Sequence, residues 1–280
     1  MLKDAYLRRH DYLRVSITDR CNLRCRYCMP PDGVDFLPHD EVLRNEEFMR
    51  LIGVFVSLGV AKVRFTGGEP LLRRGFVDII EQTRESFPGL ELCLTTNGIL
   101  LRNYIDDLHR LRLKKLNISL DTLSRETYRE ITMREGLSET LDGIDRALGC
   151  GYFDLKINTV LLEETLQGLD SFLDYFSGRD VTLRFIERMP FEGTVGDDAY
   201  LPSGLLLERL AAGGDLVRNT HTDTSVAMMY EYRHRGIYPM RIGIIPPVSH
   251  KFCLSCSLLR LTSDGHLSTC LHSRADLDLK

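Results

Sequence analysis

No stretch of this chain approaches the roughly 20 uninterrupted apolar residues that a membrane-spanning helix needs. The amino end, Met1-Leu2-Lys3-Asp4, runs straight into charged sequence rather than into the apolar core of a secretory leader. A cytoplasmic address with no membrane partner is therefore expected. Charge of one sign is also missing. The net charge is −4 over 280 residues, with acidic and basic groups interspersed, so the chain offers no broad surface for nucleic acid. Internal repeats and low-complexity tracts are absent as well.

What is present is a globular composition, 43% hydrophobic, enough to bury one large core with a smaller unit appended. Short β-rich runs alternate with helix-like stretches: LRVSIT at 13–18, VAKVRF at 60–65, LELCLT at 90–95, KLNISL at 115–120, FDLKINTVL at 153–161 and VTLRFI at 181–186. Six consecutive strand–helix units with right-handed crossovers predict an α/β fold, a partial (β/α)6 TIM-like barrel. A Gly-, Pro- and Asp-rich segment between Arg188 and Gly204 marks a boundary near residue 195. Residues 1–195 are expected to form the barrel. Residues 196–280 are expected to form a small α+β unit, with a helix at 203–212 and strands at 226–233 and 239–245.

Of the eight cysteines, six fall in two tight triplets, which in a reducing compartment argues for metal rather than disulfides. Cys93 and Cys150 stand alone and read as core packing. Cys21, Cys25 and Cys28 give C-x3-C-x2-C, three thiolates on one short loop where a cubane iron–sulfur cluster takes four, which leaves one iron without a protein ligand. A zinc site borrowing a distant ligand, or three cysteines that merely lie close, are the plainer alternatives. The second triplet, Cys253, Cys256 and Cys270, repeats the deficit as C-x2-C-x13-C. There zinc is a strong rival, because His272 would complete a tetrahedral set, and spacing alone divides zinc and iron–sulfur evenly. TGGEPLLRR at 66–74 follows a strand with two glycines and a proline, a backbone able to approach a ligand with its N–H groups exposed.

C-x3-C-x2-C with Tyr27 before its last cysteine resembles the signature of the radical S-adenosylmethionine enzymes. Further segments, LRVSITDRCNLRCRYCMP, VRFTGGEPLLRR, LTTNGILL, LNISLDTL, LRFIERMP and PVSHKFC, spread over nearly the whole chain and resemble the molybdenum cofactor biosynthesis family of GTP 3',8-cyclases. The resemblance implies two 4Fe-4S clusters, one on each triplet, with S-adenosylmethionine chelating the open iron of the first and cleaved there to a 5'-deoxyadenosyl radical. It assigns Tyr27, Gly67, Gly68, Glu69, Ser119 and Met189 to the cofactor, and Arg14, Arg64, Thr95, Lys156 and Arg260 to GTP, with Arg260 also counted with the catalytic cysteines. An electron donor such as flavodoxin or ferredoxin is implied as a partner, and a homodimer is an open assembly state.

The chain departs from the family pattern in three places. Leu258 stands where the family carries the first arginine after the second C-x2-C, while Arg260 keeps the second. The sequence ends at LDLK, ahead of the Gly-Gly tail that the family carries. The Gly-Arg pair expected before the first strand is replaced by AYLRRHDY, in which Arg8 or Arg9 is the candidate substitute. Two other functions stay open at this stage: a two-cluster paralogue acting on a different nucleotide, peptide or small molecule, and a catalytically silent scaffold holding only structural metal.

Overall fold

The computed structural model describes residues 2–4, 6–30, 33–189, 200–222, 226–236, 238–271 and 277–280. The strands are β1 (Leu2–Lys3), β2 (Arg9–His10), β3 (Tyr12–Ser16), β4 (Lys62–Thr66), β5 (Glu91–Thr96), β6 (Lys115–Ser119), β7 (Asp154–Leu161), β8 (Val181–Glu187), β9 (Gly214–Arg218), β10 (Met228–His234), β11 (Pro239–Ile245), β12 (Leu258–Leu261), β13 (His266–Ser268) and β14 (Leu277–Asp278). The helices are α1 (Asn45–Ser57), α2 (Phe76–Ser86), α3 (Ile105–Arg110), α4 (Arg125–Thr132), α5 (Leu137–Gly149), α6 (Glu163–Gln167), α7 (Leu169–Phe176) and α8 (Ser203–Gly213). Each of the six expected barrel strands is found, with its ends moved by no more than a residue or two, as is the helix beyond residue 200.

β3 through β8 pair in sequence order and all in parallel, the product of right-handed strand–helix–strand crossovers. The tail does not build a separate sheet. β11 adds in parallel to β8 at one edge and β12 in parallel to β3 at the other, with antiparallel β10–β9 and β13–β14 outside them. Both open edges of the six-stranded barrel are thereby covered, which satisfies backbone groups that an edge strand would leave bare. The expected boundary near residue 195 lies outside the described residues.

Alternation along the strands decides what faces what. In β7 the residues Leu155, Ile157 and Leu161 are buried, while Asp154, Lys156 and Asn158 between them are only half-buried. β3 repeats this with Leu13 and Val15 against Tyr12, Arg14 and Ser16. The apolar set packs on the helices, where Phe48 and Ile52 of α1, Ile79 of α2, Ile144 of α5 and Phe176 of α7 are fully covered, each such side chain contributing about 1.5–3 kcal/mol by leaving water. The polar set is left to line the barrel lumen. A lumen lined by charge is costly unless something fills it, and that is what makes it a site.

Local sequence positions the helices. Glu47 fastens the start of α1, its carboxylate accepting from the Arg44 N–H at 2.7 Å and from the Arg44 guanidinium at 3.2 Å. Ser124 caps α4 by accepting from the Thr127 N–H at 3.3 Å. Cys93 is buried as expected, whereas Cys150 is exposed at the end of α5, where the chain turns back toward β7 and nothing covers it.

Candidate active site

The first cysteine triplet lies in the connection between β3 and α1, at the carboxyl end of the parallel strands, and neighbouring connections clamp it. Backbone N–H groups of Arg24 and Arg26 donate to the Thr132 and Ile131 carbonyls, both at 2.9 Å, and the loop turns at Cys25, whose carbonyl accepts from Cys28 at 2.8 Å and Met29 at 3.0 Å. From the other side Gly68 donates to the Thr18 carbonyl and Glu69 to that of Arg20, both at 2.7 Å. A Cβ on Gly67 would stand 2.5 Å from the Thr18 oxygen and one on Gly68 2.2 Å from the Arg20 oxygen. These glycines are required because two loops touch there. This corrects the expectation of N–H groups exposed to a ligand: those of Gly68 and Glu69 are spent on the cysteine loop. An amino group in any case needs an acceptor, and backbone carbonyls are what the turn has to offer it.

Two buried carboxylates hold this assembly together. Glu69 accepts from Leu71 N–H at 3.1 Å, the Thr96 hydroxyl at 2.7 Å and Asn97 N–H at 2.7 Å, which ties the TGGEP turn to the end of β5. Asn97 in turn donates to Asn22 at 2.7 Å and reaches the Cys21 sulfur at 3.9 Å. Burial pushes the Glu69 carboxyl up to about 7 despite these donors. Asp121, just past β6, accepts from the Tyr27 hydroxyl at 2.7 Å and from Val160 N–H at 2.8 Å, and burial raises it to about 6. The Tyr27 phenol is pushed well up, by burial first and then by Asp121.

Burial also raises all three thiols. Cys28 reaches about 12 with Asp121 and Cys21 adding to the effect, and Cys25 is pushed up further by Cys28, Asp121 and Cys21. Three sulfurs that oppose one another's ionisation are drawn together by a cation that replaces their protons, so the donor set fits an iron–sulfur cluster. No three metal-binding side chains among the described residues close around a single ion, in either triplet.

Below the mouth, the strand register gathers basic groups in the lumen. Arg260 of β12 lies opposite Arg14 of β3, which lies opposite Arg64 of β4, and Lys156 of β7 and Arg184 of β8 complete the set. Arg64 is buried and held in place: it donates to the Tyr12 hydroxyl at 2.5 Å, the Leu94 carbonyl at 2.7 Å and the Thr95 hydroxyl at 3.4 Å. Lys156 pairs with Asp154 at 2.8 Å. Burial lowers Arg14 to about 10, helped by the like charges of Arg260 and Arg64; burial lowers Arg184 too, with Arg64 adding. Nε of Arg184, Nε of Arg260 and the amide oxygens of Asn117 and Asn158 have no hydrogen-bond partner among the described residues. Half-buried cations gathered around the buried Arg64, beside orphaned polar atoms, can hold a polyanion that also carries polar edges.

The second triplet flanks this cluster. Cys253 and Cys256 share a short turn, with Cys256 N–H on the Cys253 carbonyl at 3.3 Å. Arg260 is lowered by burial while the charges of Cys256 and Cys270 pull it the other way, so that arginine is within electrostatic reach of both arms of the triplet. His272, the candidate zinc ligand, falls outside the described residues.

Comparison with known proteins agrees with this geometry. The Radical SAM superfamily model matches residues 15–176, and the Molybdenum Cofactor Synthesis C model matches residues 181–280. The GTP 3',8-cyclase of Limosilactobacillus fermentum is 40% identical over 289 residues, covering 100% of this chain and 84% of its own length; that of Petrotoga mobilis is 39% identical, covering 99% and 86%. This chain belongs to the GTP 3',8-cyclases, a family of radical S-adenosylmethionine enzymes. In the fold alone, it is similar to Streptococcus suis SuiB bound to S-adenosylmethionine, with a TM-score of 0.69 at 14% identity, covering 95% of this chain and 61% of that one.

For a cyclase of this family, the sequence reading missed four side chains that the fold brings in. Arg184 sits inside the quoted LRFIERMP segment, and strand alternation alone would have turned it to the Lys156 face. Asp121 follows Ser119 in LNISLDTL, a carboxylate at a strand's carboxyl end. Tyr12 orients Arg64. Glu187, two residues before the half-buried Met189, is itself buried and accepts from Ser203 N–H at 2.7 Å, Val248 N–H at 3.1 Å and Ser249 N–H at 2.9 Å, fastening the second cysteine loop to β8. Its partners are far apart in the sequence, so no local signal marks it.

Proposed function

We propose that this chain carries two 4Fe-4S clusters, on Cys21, Cys25, Cys28 and on Cys253, Cys256, Cys270, and converts GTP by radical cyclisation in the first step of molybdenum cofactor biosynthesis. The observation that carries the reading is the group of lumen cations, Arg14, Arg64, Lys156, Arg184 and Arg260, flanked by one cysteine triplet at the mouth and another at the β12 edge. S-adenosylmethionine held at Cys21, Cys25 and Cys28 would supply, on one-electron reduction, the hydrogen-abstracting radical that the cyclisation of GTP requires.

The chain's own residues bind, orient and shield. The carbonyls of Gly67 and Gly68 are the acceptors that the turn would offer a methionyl amino group, and Glu69 keeps that turn rigid against β5. Tyr27, Ser119 and Met189 border the cofactor, with Tyr27 braced by Asp121. Arg14, Arg64, Lys156, Arg184 and Arg260 hold the triphosphate with charge-assisted hydrogen bonds, and Thr95 adds a neutral contact. Leu258, half-buried in the same lumen-facing register as Arg260 and opposite Tyr12, removes one donor from that set. A barrel mouth that excludes water protects the sugar radical. A one-electron donor of the flavodoxin or ferredoxin kind, a cytoplasmic setting, a homodimeric assembly and a division of the chain near residue 195 belong to the same proposal. Among the described residues no helix is long and apolar enough to cross a membrane.

The test is anaerobic incubation of the reconstituted protein with dithionite, S-adenosylmethionine and GTP. GTP-dependent formation of 5'-deoxyadenosine with consumption of GTP is expected. Formation of 5'-deoxyadenosine that GTP neither raises nor accompanies, with some other nucleotide or a peptide consumed instead, would overturn the substrate while leaving the radical chemistry in place.

A further inference from the structure

The second triplet has, besides Arg260, a cation with no role assigned so far. Arg8 donates through Nη1 to the Cys253 carbonyl at 2.7 Å, across 245 residues of sequence. Its Nε is clamped by Asp4 at 2.6 Å, and Asp4 is itself fixed by Tyr6 and Arg8 N–H groups, both at 2.9 Å, and by His10 Nε2 at 3.2 Å. Neither Arg8 nor Asp4 is a loose surface charge: their side chains are 22% and 20% exposed. Arg9, the other candidate for the family's missing Gly-Arg pair, instead faces Asp11 at 3.6 Å and is more than half exposed.

Backbone conformation supports the same assignment. Leu7, directly before Arg8, has φ +63°, the left-handed region that glycine enters freely and a leucine enters at a cost of about 1 kcal/mol. Leu7 is 79% exposed, so its side chain gains little from the strain. What the turn achieves is to fold Arg8 back onto Asp4 and toward Cys253: Leu7 N–H donates to the Asp4 carbonyl at 3.0 Å. The left-handed turn at Leu7 places Arg8.

We propose that Arg8 is a positioning residue of the second cysteine triplet, fixing the Cys253 turn and holding a positive charge beside the cluster seated there, so that the cluster accepts an electron more readily. The proposal rests on the second-cluster reading given above. Reduction adds negative charge to the cluster, and a fixed cation nearby stabilises the reduced form over the oxidised one. Arg260 supplies the same sign from the lumen side, but it faces the substrate phosphates, which neutralise it on binding. Arg8 lies outside that group and keeps its influence whether or not substrate is present.

The test uses the full chain with Cys21, Cys25 and Cys28 replaced by alanine, so that only the second triplet carries a cluster. Arg8→Gln and Arg8→Lys are made in that background, and iron, sulfide and zinc contents, the electron spin resonance spectrum and the midpoint potential are measured anaerobically. The proposal expects Arg8→Gln to weaken the one-electron reduction equilibrium by about tenfold, which is about 59 mV more negative. Arg8→Lys keeps the charge and should stay within about threefold of the parent. An iron–sulfur cluster whose potential is the same in Arg8→Gln as in the parent overturns the role of Arg8 and leaves the second cluster standing. Equal falls in both variants overturn the role of the charge. If Arg8→Gln loads no cluster, a parental potential in Arg8→Lys supports the proposal and a lowered one overturns it. Zinc or no metal in the folded parent background overturns the second-cluster reading, and the role of Arg8 with it.

Discussion

Replacing Glu69 by glutamine separates charge from shape at the point where the TGGEP turn meets β5. In the folded chain burial raises this carboxyl to about 7 from an ordinary value of 4.5. Between those two values the folded chain keeps a proton that the unfolded chain has lost, so stability falls as pH rises through that window. That difference is worth about 3 kcal/mol, fully present below about pH 4.5 and gone above about pH 7. Glutamine does not titrate and makes no such contribution. It does lose one acceptor: with Oε1 serving Leu71 and Thr96, its amide nitrogen is set against the Asn97 N–H, and an unsatisfied buried pair costs about 1–3 kcal/mol. Near pH 5 Glu69→Gln should be the less stable protein by about that amount, and the gap should close or reverse by about pH 8. Anaerobic urea midpoints across this range, read by circular dichroism, measure the difference. Parallel pH profiles for parent and variant would refute the argument, because they would mean that Glu69 is ionised throughout and its burial is compensated by its three donors.

Gly68→Ala should cost about 2–4 kcal/mol and reduce iron at the first triplet, since a Cβ there meets the Arg20 carbonyl at 2.2 Å; unchanged iron content and melting temperature would show that the two loops can part. Asp121→Ala leaves the Tyr27 hydroxyl and the Val160 N–H without their acceptor, a loss of about 1–3 kcal/mol for each, and slower cluster loading is expected from iron analysis during reconstitution. Arg184→Gln should leave thermal stability within about 0.5 kcal/mol, because its Nε has no partner to lose, yet weaken GTP binding in calorimetry by roughly tenfold to a hundredfold. Leu258→Arg restores a donor on the lumen face of β12 and should tighten GTP binding by a similar factor; no change would mean that the phosphates do not reach that strand.

Much of the fold was legible because its signals are local. Alternating runs such as LKINTVL state a strand with two unlike faces whatever surrounds it, and the glycines of TGGEP mark a tight approach, although its purpose is two loops in contact rather than N–H groups held out to a ligand. The tail was harder. β9, β12, β13 and β14 are short, and β12 is made a strand by a neighbour far away in sequence, Tyr12 beside Leu258. Leu7 shows the same limit from another direction: nothing in AYLRRHDY announces a left-handed residue, because leucine is a poor choice for one, and only the clamp between Asp4, Arg8 and Cys253 makes it worthwhile.

By itself the sequence determined the donor chemistry, two sets of three thiols with a resemblance that names their use, and the order of six strands that builds the barrel, since cysteine spacing and hydrophobic period are properties of contiguous residues. Only the tertiary structure decided which cations share the lumen, that Glu69, Asp121 and Glu187 are buried braces, and that Arg8 rather than Arg9 meets the second triplet. Those outcomes depend on parallel register and on burial, which couple residues hundreds of positions apart and leave no trace in any short window of the chain.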